Sequence, residues 1–277
     1  MSAATITAPV EPGADEGGIG LRAHLRHIGA LARRNALQIK ADPESMLDAV
    51  LMPIIFVLLF VYVFGGAIGG GMGGGRDAYV QHIVPGLMAM GGMNIAMAVG
   101  SGVNDDFRKG VMDRFRTMPI ARSSVLVAKV TVELGRMLVS TVILLAMGFA
   151  IGFHLEGSVL QLLGAVALSL FFGSALTWIF ILLGLTARSS QAVQGLGMLV
   201  MMPLQFGSSI FAPPGTMPGW LEAFTKVNPL SALADSARGL MTGEGALLHP
   251  VLLTLGWSVG LTVVLAPLAV SRFRKKV

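Results

Sequence analysis

Six long stretches of this chain contain no Asp, Glu, Lys or Arg: residues 49–75, 78–104, 137–155, 157–187, 189–221 and 245–271. An α-helix needs about 20 mostly apolar residues to cross a hydrocarbon core about 30 Å thick, and each stretch holds one such helix. Helices buried in a soluble protein would also be apolar, but they need polar sequence to clothe them. Only 13% of the 277 residues are charged, against about 25% in a soluble domain. The alternation of roughly ten-residue membrane β-strands is missing too. The pattern predicts an all-α polytopic membrane protein with spans near 47–68, 82–103, 131–153, 159–185, 192–212 and 250–270.

A net charge of +5 would suit nucleic acid, but its distribution speaks for orientation instead. Place both termini and the loops after spans two and four on one side. That side then carries sixteen of the twenty Lys and Arg; the other has Arg76, Lys226 and Arg238, and Arg136 falls inside span three. Cytoplasmic loops carry the Lys/Arg excess, so both termini are expected in the cytoplasm, with no nucleic-acid partner. Residues 1–18 lack the basic-then-apolar layout of a signal peptide and read as a disordered cytoplasmic tail. In residues 19–40, Leu21, Leu25, Ile28, Ala32, Ala36 and Ile39 share one helical face, ringed by Arg22, Arg26, Arg33 and Lys40. Such a helix lies in the headgroup plane.

The loop between spans two and three is dense in both signs of charge: Asp105, Asp106, Arg108, Lys109, Asp113, Arg114 and Arg116. Within it Phe107, Val111, Phe115 and Met118 recur at helical spacing, with Gly110 between them and Pro119 at the end. This predicts a short amphipathic helix over 105–119. An apolar ridge with charged flanks suits a groove on another protein; rest on the bilayer surface is the other reading.

Spans two and five are rich in Met, which adapts to varied shapes. Met90, Met93, Asn94 and Met97 in one, and Met198, Met201, Met202, Gln205 and Phe206 in the other, are candidates for an apolar translocation path. Lipid-facing or helix-packing Met is the alternative. Glu133 and Arg136 are spaced to pair on one helix face. The 213–248 loop is segmented by Pro213, Pro214, Pro218 and Pro229, with a short helix expected from Ala232 to Met241. The chain has no Cys, its five His are scattered, and no H-E-x-x-H occurs; no catalytic or metal-ligating set emerges. There is also no G-x-x-x-x-G-K-[ST] to cradle a nucleotide phosphate.

Three stretches together carry a resemblance. The first is Asn104 to Arg122 followed by Ser123-Ser124-Val125-Leu126-Val127-Ala128-Lys129. The second is Met217-Pro218-Gly219-Trp220-Leu221-Glu222-Ala223-Phe224 with Asn228-Pro229-Leu230-Ser231 and Ala237-Arg238-Gly239-Leu240-Met241. The third is Phe64-Gly65-Gly66-Ala67-Ile68 with Tyr79 and Pro85-Gly86-Leu87. In this order the chain, over roughly residues 35–277, resembles ABC type-2 transporter permeases, specifically the daunorubicin/doxorubicin-resistance subfamily. The resemblance implies a six-span permease subunit of a bacterial plasma-membrane exporter that is not itself an enzyme. A separate ATPase would bind ATP and Mg and dock on residues 105–119. A second permease copy, identical or paralogous, would complete a dimer, and the cargo would be a hydrophobic or amphiphilic drug-like compound. Spans two and five would line the route. Short helices in 213–248 would cap the outer exit, with Trp220, Phe224, Asn228, Pro229, Asp235 and Arg238 as their marked residues. Exporters of lipids, glycolipids or polysaccharides share this plan. An ion-coupled secondary transporter would need two similar halves or mid-membrane charges, and neither is seen.

Overall fold

The computed structural model describes residues 43–110, 122–243, 245 and 247–276, and every regular element among them is helical. Helix α1 (Pro43–Leu58) passes through a π-helical turn (Leu59–Phe64) into α2 (Gly65–Gly71). Then come α3 (Gly75–Arg108), α4 (Arg122–Ala150), α5 (Val159–Thr186) and α6 (Ser190–Phe206). After a 3₁₀ turn at Pro214–Thr216 follow α7 (Gly219–Val227), α8 (Pro229–Thr242) and α9 (Leu248–Lys276). The expected tail 1–18 and interface helix 19–40 lie outside the described residues.

Five helical stretches are long and apolar enough to cross a membrane: Ala49–Gly71, Gly75–Arg108, Val125–Ala150, Val159–Thr186 and Leu248–Lys276. They match expected spans one to four and six. The fifth differs from 192–212. Helix α6 has 17 residues, about 26 Å at about 1.5 Å per residue, and it stops at Phe206. Its terminal carbonyls are taken by side chains instead of further helix: Asn228 Nδ2 donates to Leu204 O at 2.6 Å and to Gly207 O at 2.9 Å.

Helices α3 and α5 form the centre of the molecule. They run parallel and cross on small residues. A Cβ on Gly92 would lie 3.1 Å from Gly173 Cα, and one on Gly184 would lie 3.3 Å from Gly100 Cα. Lipid tails are as apolar as Leu, so buried helices here associate through close backbone packing. Antiparallel α4 packs on α3, with Gly148 against Val84. Helix α6 meets α3 along one stripe, Val193, Gly197 and Met201, while Leu199, Val200 and Met202 stay exposed. Helix α8 is wedged among α3, α5 and α9, and most of its side chains are buried. Because α3, α5 and α9 point the same way, the bundle has an Arg108 end, where all three finish, and a His82 end.

Candidate functional site

At the Arg108 end, the expected helix 105–119 does not begin at Asp105. Asp105, Asp106, Phe107 and Arg108 form the last turn of α3, and Gly110 follows at φ +67°. A glycine in the left-handed region just past a helix is the usual stop, so the first four residues of the expected stretch finish α3. Val111, Asp113, Arg114, Phe115, Arg116, Met118 and Pro119 lie outside the described residues. Asp106 accepts from Lys129 Nζ at 2.8 Å, tying α3 to α4. Phe107 is half-buried, edge-on to Phe273 at 5.6 Å, with Lys276 Nζ 5.0 Å above its ring. It faces the chain's own last helix. Arg108 is exposed and Asp105 half-buried.

Asn104, just before the expected stretch, is 2% exposed. Its Nδ2 donates to Gly184 O and Ala187 O, both at 2.9 Å. Lys276 Nζ donates to Leu185 O at 2.8 Å. Three carbonyls at the end of α5 are thus held by side chains from two other helices. The only signal in the sequence was an amide at the end of an apolar run, which does not say what it faces.

The path residues do not converge on one lumen within this chain. Met90, Met93 and Met201 are buried, and Asn94, Met97 and Gln205 are half-buried. Met198, Met202 and Phe206 face outward. Contact between the two sets occurs where α6 crosses α3: a Cβ on Gly197 would meet Met97 Sδ at 3.1 Å and Phe180 Cε1 at 2.7 Å. Met90 and Asn94 border a cleft with Met52, Phe56 and Ser140, whose free space is about 30 Å³. That is a water's share of liquid volume, far below the several hundred Å³ of a drug pocket. A row of rings missed by sequence reasoning links span one to the end of α6. Phe60 stacks on Phe64 at 5.5 Å and on Phe211 at 4.7 Å, and Phe211 stacks on Phe206 at 5.2 Å. The π-helical turn carries Phe60 and Phe64. Glu133 and Arg136 form the expected pair at 2.9 Å, buried in the protein.

The His82 end is tied by a denser polar knot. Asn228 caps α8 by accepting from Leu230 N–H at 2.9 Å, with Pro229 in the first turn. Thr225 Oγ1 adds a bond to Gly207 O at 3.1 Å. Arg238 Nη1 donates to Asp235 Oδ1 at 2.7 Å, while its Nη2 donates to Ser209 O at 3.1 Å and His82 O at 3.3 Å. Ser209 Oγ also donates to Asp235, at 2.6 Å. The knot fastens α8 to α3 and to the turn after α6. On the other side of α8, the Glu156 and Gly157 N–H groups donate to Met241 O, and Ser236 and Thr254 hydroxyls lie 3.1 Å apart. Helix α7 rides outside, with Trp220 and Val227 exposed and Phe224 beside Gly207. Among the described residues no group of three His, Asp or Glu is placed to hold a metal ion.

The sequence matches one family description, ABC-2 type transporter, over residues 26–242. The chain belongs to the ABC-2 type transporter family. Among its relatives is the daunorubicin resistance ABC transporter permease protein DrrB1 of Streptomyces coeruleorubidus, 36% identical over 88% of this chain and 84% of the relative. The doxorubicin resistance ABC transporter permease protein DrrB of Mycobacterium tuberculosis (strain ATCC 25618 / H37Rv) is 30% identical over 67% of this chain and 66% of its own length. The inner membrane transport permease YhhJ of Escherichia coli (strain K12) is 30% identical over 64% of this chain and 47% of that protein. The ABC-2 chain is therefore a multi-pass membrane permease, of a family that in general works with an ABC ATPase and as a dimer.

Proposed function

We propose that this ABC-2 chain is the membrane subunit of an ATP-driven exporter for hydrophobic or amphiphilic drug-like compounds. The observation that carries this reading is the extent of its likeness to the daunorubicin resistance permease, 36% identity over 88% of the chain. ATP and Mg belong to a separate ATPase, since the chain has no phosphate-cradling motif of its own. That ATPase docks at the Arg108 end on residues 105–119, with Val111, Phe115 and Met118 as anchors, while Phe107 ties the site to the chain's own last helix; buried apolar anchors usually dominate such interfaces. Both termini and the Arg108 end lie in the bacterial cytoplasm, and helices α7 and α8 cap the outer side. Span two and α6 line the route, which opens only with a second permease copy: the closed Met90–Asn94 cleft and the outward Met198, Met202 and Phe206 support that reading.

The test is reconstitution with an ABC ATPase subunit that copurifies with it, in vesicles supplied with a panel of amphiphiles. ATP-dependent accumulation of at least one planar hydrophobic compound is expected. Phe115→Asp should insert normally yet lose stimulated ATPase activity. Transport that proceeds without any ATPase subunit, or coupling untouched by Phe115→Asp, would contradict the assignment.

A further inference from the structure

We propose that Asn104 is a positioning residue that couples a shift of the last turn of α3 to spans four and six, an inference that rests on the Arg108 end being the ATPase-facing end. The geometry is specific. A helix leaves its last four carbonyls without intrahelical donors, and the end of α5 finds donors on other helices. Asn104 of α3 bonds Gly184 O and Ala187 O, each at 2.9 Å, and Lys276 of α9 bonds Leu185 O at 2.8 Å. Two residues after Asn104, Asp106 grips Lys129 of α4 at 2.8 Å. Three residues after it, Phe107 lies edge-on to Phe273 at 5.6 Å. The last turn of α3 therefore touches α4, α5 and α9, and the chain beyond Gly110 leaves directly from it.

Asn104 is the stiffest of these links. Its side chain has two torsions and no freedom at 2% exposure, whereas Lys129 and Lys276 reach through long flexible stems. A rotation of the last turn of α3 must move both carbonyls or break both bonds. Packed side chains and hydrogen bonds of this kind are what carry coupling between sites.

The test uses the full chain with its ATPase in vesicles, reading ATP hydrolysis and transport together. Asn104→Leu, which keeps the volume and removes the donors, should leave hydrolysis near wild type while transport per ATP falls about tenfold, the scale of two net hydrogen bonds. Asn104→Gln, which keeps the two N–H donors, should recover part of that ratio, and Lys276→Met should lower it in the same direction by less. Transport and hydrolysis falling in equal proportion, or a normal ratio in Asn104→Leu, would overturn the role. Should Asn104→Leu fail to fold by thermal unfolding in detergent, the ratio in Lys276→Met decides: a fall supports the role, and no change overturns it. A wild-type complex that neither hydrolyses nor transports removes the proposed function and this role together. A working wild type with an unaltered Asn104→Leu removes this role alone.

Discussion

Asn228 makes three hydrogen bonds that a methyl group cannot replace. Its amide holds Leu204 O and Gly207 O, and its carbonyl caps α8 at Leu230 N–H. Losing the cap costs about 1 kcal/mol, and leaving Leu204 O unmet, with Gly207 O held by Thr225 alone, adds to it. Asn228→Ala should therefore lose about 2–4 kcal/mol, seen as a lower Tm in detergent, with α6 fraying first. Arg238 is a second such point, because its planar fork serves Asp235, Ser209 O and His82 O at once. A lysine offers one point charge in place of that fork. Arg238→Lys should keep the charge yet loosen the cap, read as faster limited proteolysis between Pro213 and Met217; an unchanged cleavage rate would show that charge alone suffices. The Asp235–Arg238 spacing was visible in the sequence. His82 and Ser209 were not, since they lie 156 and 29 positions from Arg238 and only the folded chain brings them there.

At the scale of elements, the crossing of α3 and α5 makes a sharp contrast between neighbouring glycines. A methyl on Gly184 would run into the backbone of Gly100, and one on Gly100 into Phe180. A methyl on Gly91 meets nothing within 4 Å. Gly184→Ala should cost about 3 kcal/mol, the upper range of overpacking. Gly91→Ala should be neutral or gain up to about 1 kcal/mol from helix propensity. Paired unfolding curves check both, and equal effects would mean that the helices shift apart freely. Charge-free runs located five of the crossing helices within a few residues because the bilayer fixes both length and composition. They overextended the fifth, because the run continues through Gly207–Ala212 while Asn228, far along the chain, ends the helix. Amphipathic spacing, in turn, assigned Asp105 to Arg108 to a loop helix, whereas these residues finish α3. Phe107 fits both the ridge of a separate helix and the last turn of α3, and only the left-handed Gly110 separates the two.

The whole molecule can be tested for orientation with unusual ease, since the chain has no cysteine to remove. Gly215→Cys, in an exposed turn at the His82 end, should react with an impermeant thiol reagent on intact cells. Lys109→Cys, exposed at the other end, should react only after permeabilisation. The reverse pattern would invert the topology.

The parallel course of α3, α5 and α9 has an electrical consequence. Each finished helix presents roughly half a negative elementary charge at its end. Three such ends lie at Arg108, Thr186 and Lys276, and α4 and α6 bring their positive starts, at Arg122 and Ser190, to the same end. Negative and positive helix ends therefore alternate on this rim. Lys276 meets one negative end directly, its Nζ on Leu185 O at 2.8 Å. Dissolved salt weakens an exposed pair such as Glu222–Lys226, but it screens partly buried groups much less. The partly buried Lys129–Asp106 tie should therefore outlast changes of ionic strength that weaken Glu222–Lys226.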